Sequence, residues 1–286
     1  MRQLTTLLDD LTFGEGPRWR NGFLYFSDFY DCVVKRVSLD GVVEEVVNVP
    51  KQPSGLGWLP DGRMLIVSMI DQKLMVFDGT SLAEYADLSD YATHHCNDMV
   101  VDDHGNAYIG NFGFDSSKGE AVKTTNLILV RADQTVDVAA DGLSFPNGTV
   151  ITPDGKTLII GETYASCLTA FDIQDDATLS NRRLWADLSP LAPDNPPVPD
   201  GMCLDTQGAI WVASPTTKEV LRMAENGAVL ERITLDRGAF ACMLGGEDGK
   251  TLFIVSCKTS IAERCAVERT GRIEICTVDH AGAGKP

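Results

Sequence analysis

Apolar residues along this chain come in short runs cut by tight turns, and few stretches combine helical spacing with helix caps. The first unit sets the pattern. Gly16-Pro17-Arg18-Trp19 leads to a turn at Asn21-Gly22 and then to Phe23-Leu24-Tyr25-Phe26-Ser27-Asp28. A short apolar run, a tight turn and a second apolar run predict a β-hairpin. Runs at 33–39 and 42–49, separated by Asp40-Gly41, add two more strands with nothing helical between them. The pattern then restarts at 57–68, 98–110, 148–161, 201–214 and 243–257.

Each repeat carries one turn glycine: Gly22, Gly62, Gly105, Gly155, Gly208 and Gly249. Six copies of a four-stranded unit, with a period of roughly 40–50 residues, predict an all-β fold: a six-bladed β-propeller with four-stranded blades. One propeller domain then accounts for residues 1–286, since a pair of domains does not explain six restarts. The last unit supplies 243–246, 252–257 and 272–278 and is short of an outer strand. Residues 2–8, ahead of the first unit, are placed to supply it and so to avoid an unpaired sheet edge. The segment from about 281, Ala281-Gly282-Ala283-Gly284-Lys285-Pro286, reads as a disordered tail.

The repeats also align a set of polar residues. Asn97, Asn147 and Asp200 each lie eight residues before their turn glycine, and Glu15 lies seven before its own. The same rule gives Ser54 and Ala241 in the remaining units. In a propeller these six positions converge on the central channel. Asn and Asp commonly make turns before strands, but four oxygen-bearing side chains in register across six repeats point to a metal site. Two carboxylates balance a divalent cation, and neutral amide oxygens complete a hard shell suited to Ca²⁺ first, with Mg²⁺ or Mn²⁺ also compatible. A structural zinc site would show Cys and His, although Zn²⁺ with oxygen ligands and water fits too. The longest insertions, 112–125, 189–199 and 258–270, fall after second or fourth strands, on the face of the Asn147 position, where they predict a pocket or lid.

Composition narrows the partners. A net charge of −17 argues against nucleic acid and anionic membrane surfaces. The N-terminal apolar run is too short for a signal peptide, and no segment has the roughly 20 apolar residues of a membrane helix. Eight cysteines without a CxxC pair, mostly inside apolar strand patterns, read as free thiols in a reducing cytoplasm. No GxSxG elbow, Walker loop or HExxH motif appears.

Taken in order, Glu15-Gly16-Pro17-Arg18-Trp19, Asn97-Asp98, Asn147-Gly148 and Pro199-Asp200-Gly201-Met202-Cys203-Leu204-Asp205 resemble the regucalcin/gluconolactonase family over nearly the whole chain. The resemblance implies a six-bladed propeller with a single divalent cation in its channel and, in many members, lactone hydrolysis. It implies Glu15, Asn147 and Asp200 as metal ligands, with Asp200 doubling as the base. It makes Asn97 a substrate contact or a further ligand, and Asp115 an acidic substrate contact. The sequence departs from the pattern at His95, where the sugar-lactone enzymes carry an arginine that grips substrate oxygens. That departure bears on an aldonolactone substrate and leaves the metal site untouched.

His95 lies two positions from Asn97, hence on the same side of an extended segment, as a proton shuttle, a hydrogen-bond donor to substrate, or a loop residue without a role. His104 and His280 fall away from the site. Asp28, Asn111 and Glu162, near the ends of returning strands, are candidates to hydrogen-bond the ligands or else to meet solvent. The expected activity is metal-assisted opening of a lactone, a small-molecule cyclic ester. The rivals are a calcium-binding or structural propeller without turnover, and the same cation serving aryl-ester, phosphotriester or lyase chemistry.

Overall fold

A computed structural model describes residues 2–115 and 118–286. Six sheets of four antiparallel strands are arranged as blades: 14–48, 53–87, 96–143, 146–187, 202–234 and 238–277. Within each of the first five, the strands lie side by side in sequence order, the first nearest the axis. The predicted six-bladed propeller is the fold. The sixth blade is completed by the strand Thr5–Leu11, which pairs antiparallel with Gly271–Thr277 through Thr5 opposite Ile275 and Leu11 opposite Gly271. The closing strand therefore runs a few residues later than 2–8. Arg2 lies before it and is tied by its guanidinium to Glu231, Asp279 and the Thr277 carbonyl.

Apolar side chains alternate onto both faces of each sheet and fill the wedges between blades. Leu65, Val67 and Leu74 of the second blade pack with Met99, Val101 and Ile109 of the third. Leu24 and Phe26 of the first meet Leu252 and Val255 of the sixth, so the core also crosses the ring closure. The six turn glycines all have positive φ, between 70° and 91°, a conformation that a Cβ disfavours.

Glycines of a second kind follow the channel positions. A Cβ on Gly55 would lie 2.4 Å from the Met99 nitrogen, one on Gly148 2.3 Å from the Asp200 carbonyl oxygen, and one on Gly201 2.5 Å from the Ala241 Cβ. Inner strands of neighbouring blades touch at this level, and only hydrogen fits between them.

One expectation fails. The tail is ordered: Ala281 O accepts from Thr206 N, Gly282 N donates to Gly249 O, and Ala283 N to Leu204 O. Lys285 exchanges two backbone hydrogen bonds with Ile151, at 2.7 and 2.9 Å. Small residues let this segment lie across the ends of three inner strands, whose backbone groups would otherwise lack partners. The 258–270 insertion contains the helix Ala262–Glu268, seated by buried Cys265 and ended by Arg269 in the left-handed region. Of the 112–125 insertion, residues 116 and 117 lie outside the described residues.

Candidate functional site

The channel positions owe their direction to a repeated irregularity of the inner strands. Glu15 and Arg18 span three residues opposite the two-residue step Ser27 to Tyr25, and the same extra residue occurs at 53–56, 96–99 and 146–149. The sixth blade has it between Ala239 and Ala241. A β-bulge of this kind bends the strand and re-aims one side chain.

The result is a connected polar floor. Ser54 Oγ donates to Asn97 Oδ1 at 3.3 Å, and Asn97 Nδ2 donates to Asn147 Oδ1 at 3.1 Å. Asn147 also hydrogen-bonds the Asp200 carboxylate, and its Nδ2 donates to Thr163 Oγ1 at 3.1 Å. Thr163 in turn donates to the Pro199 carbonyl beside Asp200. Glu15 interacts electrostatically with Asp200, across the channel from blade one to blade five. Glu15, Asn97, Asn147 and Asp200 are all buried, with exposures between 4 and 9%.

Burying carboxylates together raises their pKa values. Asp200 is pushed up to about 8, first by burial and then by the charge of Asp98. Glu15 is held well above the carboxylate range by burial, then by Asp200 and Asp98. Asp98, named in the sequence only within the Asn97-Asp98 motif, was given no role there. It takes the place that glycine occupies in the neighbouring blades and pairs at 2.8 Å with the buried guanidinium of Arg18. Arg18 also donates to the Leu56 and Met99 carbonyls, so one side chain ties blades one, two and three together.

The other candidates lie higher. His95 is half-buried, its ring 4.2 Å from that of His94 and 5.8 Å from Phe112. Burial, and then His94 beside it, lower its pKa and favour the neutral imidazole. Asp115 is engaged by Lys118 at 2.9 Å and stands 3.7 Å from His94 Nε2, on the rim. Asp28, Asn111 and Glu162 do not bond the floor residues. Asp28 accepts from Phe13 N and Thr12 and pairs with Lys35, while Glu162 accepts from Ser144 N and Arg182. Asn111 accepts from Thr125 Oγ1 and Gly113 N. In blades one and four this acceptor pins the backbone two or three residues ahead of the channel position, which steadies Glu15 and Asn147 indirectly.

Around the mouth stands a group that sequence reasoning missed. Phe240 packs edge-on to Phe13 at 4.7 Å, Phe13 lies 5.4 Å from Phe29, and Met69, Cys257 and Cys265 complete that cluster. Phe112 packs against it and lies 4.7 Å from Phe145, which is 5.4 Å from Tyr164. One signal was available: Phe13, His95 and Phe145 each stand two residues before a channel position. Among the described residues no three His, Cys, Asp or Glu side chains gather as a metal cluster, and the candidate set joins two carboxylates to an amide.

A six-bladed propeller with an acidic, amide-lined channel floor defines the class of protein. The chain belongs to the family described as SMP-30/Gluconolactonase/LRE-like region, whose model matches residues 13–258. It is 27% identical over 256 residues to a regucalcin of Danio rerio, covering 85% of this chain and 82% of the relative. It is also 27% identical over 248 residues to a 6-deoxy-6-sulfogluconolactonase of Pseudomonas putida, with the same coverage of 85% and 82%. A solved regucalcin of Agrobacterium tumefaciens, described as a calcium-binding protein, superimposes with a TM-score of 0.83 at 21% identity. That match covers 100% of this chain and 97% of the other, and supports the fold alone. No helix among the described residues is long and apolar enough to cross a membrane.

Proposed function

We propose that this chain is a metal-dependent hydrolase that opens a lactone over the channel floor, with one divalent cation held by Glu15, Asn147 and Asp200. The charge at the floor carries the reading. Glu15, Asp98 and Asp200 are three buried carboxylates beside the buried guanidinium of Arg18, which is already paired with Asp98. Glu15 and Asp200 are left without a cationic partner of their own and are held toward their protonated forms, a cost that a bound divalent cation would relieve, since buried charges are ordinarily paired or coordinated to a metal. The Asn147 amide can present either end, because a half turn exchanges Oδ1 and Nδ2. An all-oxygen set suits calcium first, with magnesium, manganese and zinc to be separated by titration. The Pseudomonas relative's name is that of a lactone-opening enzyme and supports the reaction class.

Bound there, a cation would supply positive charge for the carbonyl oxygen and acidify a water. Asp200 would take the proton as water adds to the carbonyl carbon. In the chain alone its pKa of about 8 keeps it protonated at neutral pH, and an added positive charge lowers that value toward the ionised form a base needs. Asn97, fixed by Ser54 and Asn147, offers its amide to the substrate's oxygens. Return of the proton to the ring oxygen as the C–O bond breaks gives the hydroxy acid.

The test is a panel of lactones and simple esters, assayed before and after chelation and again after each metal is returned. Lactone hydrolysis that chelator abolishes and a divalent cation restores is the expected result. A cation that raises the melting temperature while no lactone is turned over would make this a cation-binding propeller without that activity.

A further inference from the structure

The mouth above the floor has a chemistry of its own. Phe13, Phe29, Phe112, Phe145 and Tyr164 from the connecting segments and Phe240 from an inner strand represent four different blades, yet their rings contact one another in two arcs that meet through Phe112. These rings are tied to the floor by the backbone. Phe145 O accepts from Thr163 N, and Thr163 is the hydroxyl that braces Asn147. Phe240 O accepts from Gly201 N, next to Asp200.

Phe145 is the informative member. Its φ is +57°, a region that bulky residues avoid and that Gly or Asn would occupy with less strain. Elsewhere the same region is occupied by glycine, by Asn21, Asn181 and Asn226, and by flexible side chains such as Gln52, which stands two residues before Ser54; among the described residues Phe145 is the one aromatic residue in it. A strained aromatic residue persists where its surroundings over-determine it, and such residues cluster at ligand sites. Here the half-buried ring is held between Phe112 and Tyr164, two residues from a floor amide.

We propose that the site takes a lactone bearing an aromatic ring or a comparable flat apolar group, seated on Phe145 and its neighbours with the ester over the floor. The proposal rests on the lactonase reading and names its substrate class. Sugar rings also stack on aromatic side chains, but their hydroxyls then need polar partners around the edge. Here the partly exposed side chains are mainly the rings of Phe112, Phe145, Tyr164 and Phe240, backed by the buried Phe13, Phe29 and Met69, while His94, His95 and Asp115 stand on one side. A hydroxyl-rich lactone would find hydrogen bonds on that side only and would lose water over the rings, whereas a flat apolar group gains ring contacts there.

Two substrates separate the outcomes: dihydrocoumarin, a lactone fused to a benzene ring, and δ-gluconolactone. They are compared on the full chain supplied in turn with each candidate metal. The expected kcat/KM is at least about tenfold higher for dihydrocoumarin, equivalent to about 1.4 kcal/mol. Phe145→Gly removes the ring at a backbone conformation glycine prefers, so the fold is retained. In that variant the preference should shrink about tenfold, mainly through a higher KM for dihydrocoumarin. Preference for gluconolactone would overturn the inference and leave the lactonase reading standing. If neither lactone is opened, the lactonase reading fails. Binding of the unreactive lactam, with NH in place of the ring oxygen, then decides the aromatic site by calorimetry. Binding weakened by Phe145→Gly supports it, and no binding overturns it.

Discussion

The two ends of the channel are built from the same inner strands and could hardly differ more. At one end the strands carry an extra residue each, and Glu15, Asn97, Asn147 and Asp200 meet beneath aromatic loops. At the other, the strands end in tight turns whose carboxylates serve their own backbone: Asp102 accepts from His104 and Asn106, and Asp205 from Gln207 and Ala209. Cavities of about 610 and 630 Å³ open on that turn end beside the tail, lined by residues such as Asp103, Pro153 and Glu225, away from the floor. Acidic residues alone therefore do not mark the functional end. What distinguishes it is the crowding of buried carboxyls from different blades. Carboxylates at both ends accept from nearby N–H groups, but those of the floor also act on one another, with Glu15 and Asp200 both pushed up by Asp98 and Glu15 by Asp200 as well.

The largest expected effect breaks the floor at its base. On the proposed roles, Asp200→Asn would keep an oxygen for the cation and remove the proton acceptor. Loss of a general base typically slows turnover by about 10²–10⁴-fold, so lactone hydrolysis should fall by that factor while metal binding, read by calorimetry, persists. Unchanged turnover with metal bound would remove Asp200 from that role.

Much of this end was legible in the chain before any coordinates. Turn glycines at regular spacing gave the blades, and counting back from them gave the floor. The reason is that a propeller places equivalent sequence positions at equivalent depths. Features that depend on contacts between blades were not legible. Arg18 reads as a strand residue until Asp98, far along the chain, closes on it. The aromatic mouth joins rings from separate blades, and nothing local to Phe145 announces its left-handed backbone. The tail misled for a related reason: Ala and Gly suggest disorder, yet they allow close approach to Leu204 and Ile151.

The next effect concerns how the two kinds of glycine work. At Gly148 a methyl would press on the Asp200 carbonyl oxygen at 2.3 Å, and the backbone there has no flexible end to move aside. Gly148→Ala should cost about 1–3 kcal/mol or more by overpacking. Gly155, at the opposite end, has nothing within 4 Å and only its φ of +70° to resist a side chain. Gly155→Ala should cost about 1–2 kcal/mol. Denaturant melts of the two variants give the comparison. A smaller loss at Gly148 would show that the inner strands can part.

A pH series sharpens the contrast in charge. The ordinary Asp value is 3.8, and in the cation-free fold Asp200 stands at about 8. Between those values the folded chain keeps a proton that the unfolded chain has released. Stability must then fall as pH rises through the window, the reverse of a salt-bridged aspartate. Glu15, also raised, acts in the same direction. The melting temperature of chelator-treated protein should therefore decline from about pH 5 to pH 8. Calcium should restore more of it at the upper end, because loading displaces protons below that point. A calcium effect that shrinks as pH rises would contradict the assignment of these carboxylates to the cation.

The smallest effect belongs to the tail. Lys285 pairs with Asp103 at 2.6 Å, but Asp103 is 78% exposed and the lysine about a third. Exposed pairs of this kind contribute about 0–1 kcal/mol. The Lys285 main chain, by contrast, exchanges both hydrogen bonds with buried Ile151. If the backbone holds the tail, Lys285→Ala should move the melting temperature by no more than about a degree or two, and added salt should change it little. Truncation after His280 should do more, since it strips partners from Thr206, Gly249, Leu204 and Ile151 together. Hydrolysis should survive both changes within about twofold, because no hydrogen bond of the tail reaches the floor residues among those described. Loss of turnover on truncation, with the fold intact, would show that the two ends of the channel are coupled.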